Sequence, residues 1–131
     1  MIKKYVTILS LGIFISTSAF ADSIPDIMRQ MEADTVKILK GFLRDKNQLV
    51  IEGARDIKNH PDISKDIFKY VKKERRTPAF KKFVLEFDKL VRKEAGLIEE
   101  YIKEGNKGKA SEHFAKLLDR CNGCHAVFRG W

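Results

Sequence analysis

The chain has 131 residues, of which 26 are basic and 18 acidic, giving a formal net charge of +8 with 44% hydrophobic residues. That length fits one domain with one core. The positive balance favours acidic partners.

The N-terminus predicts the compartment. Lys3 and Lys4 precede an apolar run from Val6 to Ile15, and Ala19, Phe20 and Ala21 follow as a small-x-small cleavage site. These are the parts of a secretory signal peptide, with cleavage expected after Ala21. The run is shorter than the roughly 20 residues a membrane-spanning helix needs. Residues 1–21 are therefore read as signal and 22–131 as the mature domain, with a periplasmic location and no membrane span after cleavage. Loss of two lysines takes the net charge from +8 to +6. The cluster Lys72, Lys73, Arg75 and Arg76 has the composition of a nucleic-acid patch, but export and the interleaved Glu74 argue against nucleic acid.

Apolar spacing along the mature chain is helical, without sustained period-two alternation, so the expected class is all-α. The first helix starts near Pro25 and runs to about Leu43, its inward stripe being Ile24, Ile27, Met28, Met31, Thr35, Ile38, Leu39 and Phe42. A polar turn over residues 44–47 leads to a second helix, from about Gln48 to Lys58, with Val50, Ala54 and Ile57 facing inward. Asn59, His60 and Pro61 stop it. Over residues 62–76, Ile63, Ile67 and Val71 keep helical spacing and predict a short helix or an extension. Thr77 as N-cap and Pro78 at the first position open a third helix, which carries Phe80, Phe83, Val84, Phe87, Leu90, Val91, Ile98, Tyr101 and Ile102 and ends near Gly105. The fourth runs from about Lys107 to Phe128, with Ala110, Phe114, Leu117, Leu118, Cys121, Cys124, His125 and Phe128 on one stripe. Four amphipathic helices joined by short turns predict an antiparallel four-helix bundle.

Both cysteines lie in the terminal stretch CNGCHAVFRGW. On a helix Cys121, Cys124 and His125 stand at i, i+3 and i+4 and share one face, the buried one. Two thiols and an imidazole make a poor core by themselves, because a buried histidine needs a partner for each ring nitrogen. Cys-x-x-Cys-His is the attachment sequence of c-type haem. In that chemistry two thioethers fix one edge of the porphyrin and the adjacent histidine takes an axial position on the iron. One covalent haem c is therefore the expected cofactor, with Cys121 and Cys124 binding it and His125 on the metal.

Three other readings are weaker. An i, i+3 disulfide closes too short a loop to stabilise much. A thioredoxin-like pair needs a strand leading into the motif. A zinc site needs more ligands than His60 and His113 offer.

A Cys-x-x-Cys-His motif in the last of four helices, followed by Phe128 and Arg129, resembles the cytochrome c′ family, the class II cytochromes c. The specific match is CNGCHAVFR. The resemblance implies a bundle around the haem, with the first helix forming the distal side. Some members place a methionine on the iron and carry electrons; others leave that position open and bind nitric oxide or carbon monoxide. Met28, with Met31 as the alternative, sits about where relatives place the ligand, and a thioether raises the reduction potential. Methionine as simple core filling is the competing reading. Relatives often carry a basic residue near a haem propionate where this chain has Ile24, and Arg29 is the candidate replacement. The resemblance also implies a homodimer through the first two helices as one option, which lysines such as Lys37, Lys40 and Lys46 leave open.

His60 beside Pro61 reads as a turn residue, His113 as surface or satisfied core, and the Phe80, Phe83 and Phe87 stripe as core with one ring available to a porphyrin. No acid-base pair or nucleophile constellation points to an enzyme. The expected function is a monohaem electron carrier that meets redox partners with acidic faces. The alternative is a five-coordinate protein that binds nitric oxide or carbon monoxide.

Overall fold

A computed structural model describes residues 23–129, with the side chain of Arg129 excepted. The expected signal peptide and its cleavage site lie outside the described residues. Among those described the protein is all-α: α1 (Ile24–Leu43), α2 (Asn47–Lys58), α3 (Pro78–Lys103) and α4 (Lys107–Arg129), without a strand. Residues 62–76, expected to form a short helix or an extension, do not extend either neighbour as α-helix and instead form two short 3-10 helices, Ile67–Tyr70 and Lys73–Arg75. Ile63, Ile67 and Val71 are nevertheless buried. Their spacing reflected burial along a crossover, which a single helical period does not distinguish from a helix.

Local chemistry sets the helix ends. The Ser23 hydroxyl accepts from the Asp26 N–H, and Pro25 occupies the first turn of α1. Thr77 does the same for α3 by accepting from the Phe80 N–H at 3.2 Å, ahead of Pro78. Each such cap is worth about 1 kcal/mol. At the far end of α3, Gly105 has φ +78°. The Asn106 N–H returns to the Tyr101 carbonyl at 2.8 Å and the Gly105 N–H to that of Ile102 at 3.1 Å, which is a Schellman closure. α1 ends the same way with Asp45 in the left-handed position, where the Lys46 N–H bonds the Gly41 carbonyl at 2.8 Å. These two three-residue turns make α1/α2 and α3/α4 antiparallel hairpins.

α1 packs on α2, α2 on α3 and α3 on α4, whereas α1 and α4 touch only sparsely. One apolar cluster fills the end near the two tight turns, around Ile38, Val50, Ile57, Ala95, Ile98 and Leu117. A second fills the crossover end, around Ile24, Ile27, Ile63, Ile67 and Val84, with Met28, Met31, Phe80, Phe83 and Phe128 against it. Leu39, expected inward, is 45% exposed, and Leu118 is 40% exposed. Leu118 borders the cavity left on the open side between α1 and α4.

α1 and α2 approach closely across Gly53. A Cβ there would lie 2.6 Å from the Asp34 carbonyl oxygen and 2.8 Å from Ile38. Because the first obstacle is helix backbone, Gly53→Ala is expected to cost about 1–3 kcal/mol despite its gain in helix propensity. A shift in the urea midpoint measures it; an unchanged or raised midpoint would refute the close packing.

The structure also buries acids that apolar spacing could not reveal. Asp34 is 1% exposed and is held by Gln30 Nε2 at 3.2 Å and Lys37 Nζ at 3.3 Å. Glu99 meets Lys103 at 2.7 Å and Arg55 of α2 at 2.8 Å. The Lys103 bond, followed by Arg55, outweighs burial and holds its carboxyl below the usual range.

Candidate functional site

The sparse α1–α4 contact leaves a cavity of about 670 Å³. Ligand pockets generally run from about 300 to 1,000 Å³. Its walls come from three helices and the crossover: Met28, Met31 and Thr35 of α1, Phe87, Asp88 and Val91 of α3, Cys121, Cys124 and His125 of α4, with Ile63 and Tyr70 at the crossover end. The fold thus brings the terminal motif and both methionines of α1 to one cavity. All five side chains are half-buried.

Helical spacing explains the α4 wall. Cys121, Cys124 and His125 share a face, and α4 presents it to the cavity in company with Phe128. Gly123 turns away from them and lies under Phe87, whose ring would stand 2.8 Å from a Cβ at that position. The Phe87 ring in turn leans on Phe83, with centroids 4.6 Å apart. Of the three phenylalanines in the α3 stripe, Phe87 is the one that lines the cavity.

Cys121 and Cys124 are free cysteines. Burial pushes the Cys121 thiol up. Burial, then Cys121 and then Asp88, push Cys124 to about 11. Both are neutral thiols near pH 7, the opposite of the depressed thiolate that a thiol-disulfide nucleophile requires. Among the described residues no group of three or more His, Cys, Asp or Glu side chains is placed to hold a metal ion.

The two methionines differ in their surroundings. Met28 packs only against the crossover cluster, whereas Met31 is wedged between both clusters. Met31 also borders a second, more polar cavity of about 740 Å³ with Asp34, Asp56 and His60. Arg29 reaches the rim of the main cavity and is paired with Asp26.

Two histidines are occupied elsewhere. His60 stands just past the end of α2, as a turn residue there would, and its side chain is buried. Its Nδ1 faces the Ile57 carbonyl and its Nε2 lies 2.6 Å from Asp88 Oδ1. Asp88 also accepts from Arg92 Nε at 2.8 Å, and Arg92 donates to the Lys58 carbonyl at 2.9 Å. Burial would raise the Asp88 carboxyl, but the hydrogen bonds from His60 and Arg92 outweigh it and hold it below its ordinary value. His113 meets Glu94 at 2.6 Å and stacks on Tyr101, as a satisfied core histidine does.

Asp88 is the cavity residue that apolar spacing missed. Its signal was its register: it follows Val84 by four positions and precedes Val91 by three, so it shares their inward face. Among known proteins, no family model, no curated protein and no solved structure matches the chain.

Proposed function

We propose that the protein is a monohaem c-type cytochrome of the cytochrome c′ kind that carries electrons. The observation that carries the reading is the meeting of Cys121, Cys124 and His125 with Met28 and Met31 around one cavity of about 670 Å³. The residues fit the group in kind. Two thiols one helical turn apart would anchor one edge of the macrocycle, the neighbouring imidazole would take the iron, and the remaining wall is chiefly apolar.

When bound, the haem would supply a reversible one-electron centre. The chain's own residues would set its surroundings: Phe87, Val91 and Phe128 would exclude water, and Arg29 at the rim would offer a cation to a propionate. Met28 is the preferred sixth ligand over Met31, because Met31 is held between two packed clusters.

The packing of both methionines against apolar clusters also favours a second reading, in which they are filling and the haem is five-coordinate and binds nitric oxide or carbon monoxide. Ferric optical spectra separate the two. A far-red methionine-to-iron band that vanishes in Met28→Ala and persists in Met31→Ala is the expected result for the carrier. A high-spin spectrum unaltered by either substitution, with ready gas binding, would replace the carrier by the gas-binding protein.

A further inference from the structure

The mature chain's excess charge is not spread over the bundle. Residues 65–82 contain Lys65, Lys69, Lys72, Lys73, Arg75, Arg76, Lys81 and Lys82 against Asp66 and Glu74, eight basic and two acidic, or +6. The expected mature chain, residues 22–131, also totals +6, so everything outside the segment balances at sixteen basic and sixteen acidic residues.

The segment is held in place rather than dangling. Ile67 and Val71 are buried beneath it, Arg76 Nε donates to the Val71 carbonyl at 3.1 Å, and Arg75 donates to the Val127 carbonyl of α4. Among the described residues Lys69 pairs with Asp66 and Lys82 with Glu86, while Lys65, Lys72, Lys73 and Lys81 have no ion pair. In the middle stands Tyr70, 41% exposed and at the same time part of the cavity wall.

We infer that residues 65–82 are the docking surface for an acidic face of an electron-transfer partner, which approaches the cavity across Tyr70. The inference rests on the electron-carrier reading and assigns it a side. Fixed like charges on one face raise the encounter rate with an opposite face and orient it. A surface of this kind suits the small, wet, quickly exchanged interfaces of redox pairs. An anionic lipid surface is the less suitable occupant, because Tyr70 is the sole large apolar side chain exposed within the segment and such surfaces are bound partly by apolar insertion.

The test uses the haem-loaded full chain and two variants with the same charge change: Lys72→Glu with Lys73→Glu in the segment, and Lys40→Glu with Lys46→Glu at the opposite end of the bundle. Oxidation of the ferrous protein by ferricyanide is followed by stopped flow at rising ionic strength. The segment variant is expected to slow about fivefold at low salt and to converge on wild type at high salt, with the opposite-end variant within about 1.5-fold of wild type throughout. Binding of poly-L-glutamate, read by amide shifts, should fall on residues 65–82 and disappear in the segment variant.

Equal slowing by both variants would overturn the inference, since net charge alone would then account for the rate. Binding to phosphatidylglycerol vesicles without binding to poly-L-glutamate would overturn it in favour of lipid. Normal electron transfer indifferent to the segment would remove the docking surface and leave the carrier. Polyglutamate binding confined to the segment in a chain that never acquires haem would keep the acidic-partner surface and remove the carrier.

Discussion

Protein matured in a periplasm that assembles c-type cytochromes is expected to keep its haem through denaturing electrophoresis, and the double variant Cys121→Ala, Cys124→Ala to lose it entirely. Covalent retention distinguishes thioethers from a haem that is only ligated, because unfolding releases a ligated group and leaves a thioether intact. Each single variant keeps one anchoring sulfur and should retain the pigment at reduced yield. The geometry supports this gradation, since the two thiols line the same cavity one turn apart. Their neutral state matters as well. With Cys124 raised to about 11, the pair is poorly disposed to oxidise to a disulfide before attachment. Intact mass and an in-gel haem stain decide the matter. A bare polypeptide from the wild-type gene under these conditions would remove the haem and the proposed function with it.

The second large effect concerns stability. His60→Ala is expected to cost on the order of 3 kcal/mol, because it removes a buried side chain together with one of two partners of the part-buried Asp88 carboxylate, which is left poorly compensated. In a domain of this size that corresponds to a fall in Tm on the order of 15 °C. His60 closes the C-terminal end of α2 onto α3 through the Ile57 carbonyl and Asp88. Arg92 reinforces the junction from α3 to the Lys58 carbonyl.

The pH dependence follows from Asp88. Its carboxyl is held below the ordinary 3.8 because the His60 and Arg92 hydrogen bonds overcome burial. A depressed folded value stabilises the protein above the unfolded value, and that contribution disappears as pH falls through the folded one. The gap between wild type and His60→Ala should therefore be full at about pH 7 and narrow below about pH 4. Glu99 and Asp62 are also held low, Glu99 chiefly by Lys103 and Asp62 chiefly by Ser64. Asp62 also feels the Asp88 charge and belongs to the same junction, whereas Glu99 has no contact with the pair and titrates alike in both proteins. Thermal melts of both across that range provide the check, and a gap constant with pH would refute the role given to this carboxylate.

The helices and the terminal motif were legible in the sequence because both depend on local chemistry. Ser23 with Pro25 and Thr77 with Pro78 mark helix starts whatever surrounds them, and Gly105 can close α3 since it tolerates φ +78°. The i, i+3, i+4 spacing places Cys121, Cys124 and His125 on one face of any helix. Apolar period also identified Val50, Ile57, Val84, Ile98 and Leu117 as core, and they are buried.

What lay beyond the sequence depends on partners far apart in the chain. Periodicity assigns a face to each helix but not the neighbour that covers it, so Leu39 and Leu118 read as core although no neighbour covers them and both are exposed. Glu94 and Glu99 are buried acids that apolar spacing did not reveal, met by His113 and Arg55 from other helices. His60 gained its meaning from Asp88, 28 residues away. By itself the sequence determined which segments coil and which face bears the thiols, since those follow from bonds within a turn or two. Only the tertiary structure decided that α1 and α4 part around a cavity faced by both methionines, because that gap is set by how three helix pairs pack and no local residue encodes it.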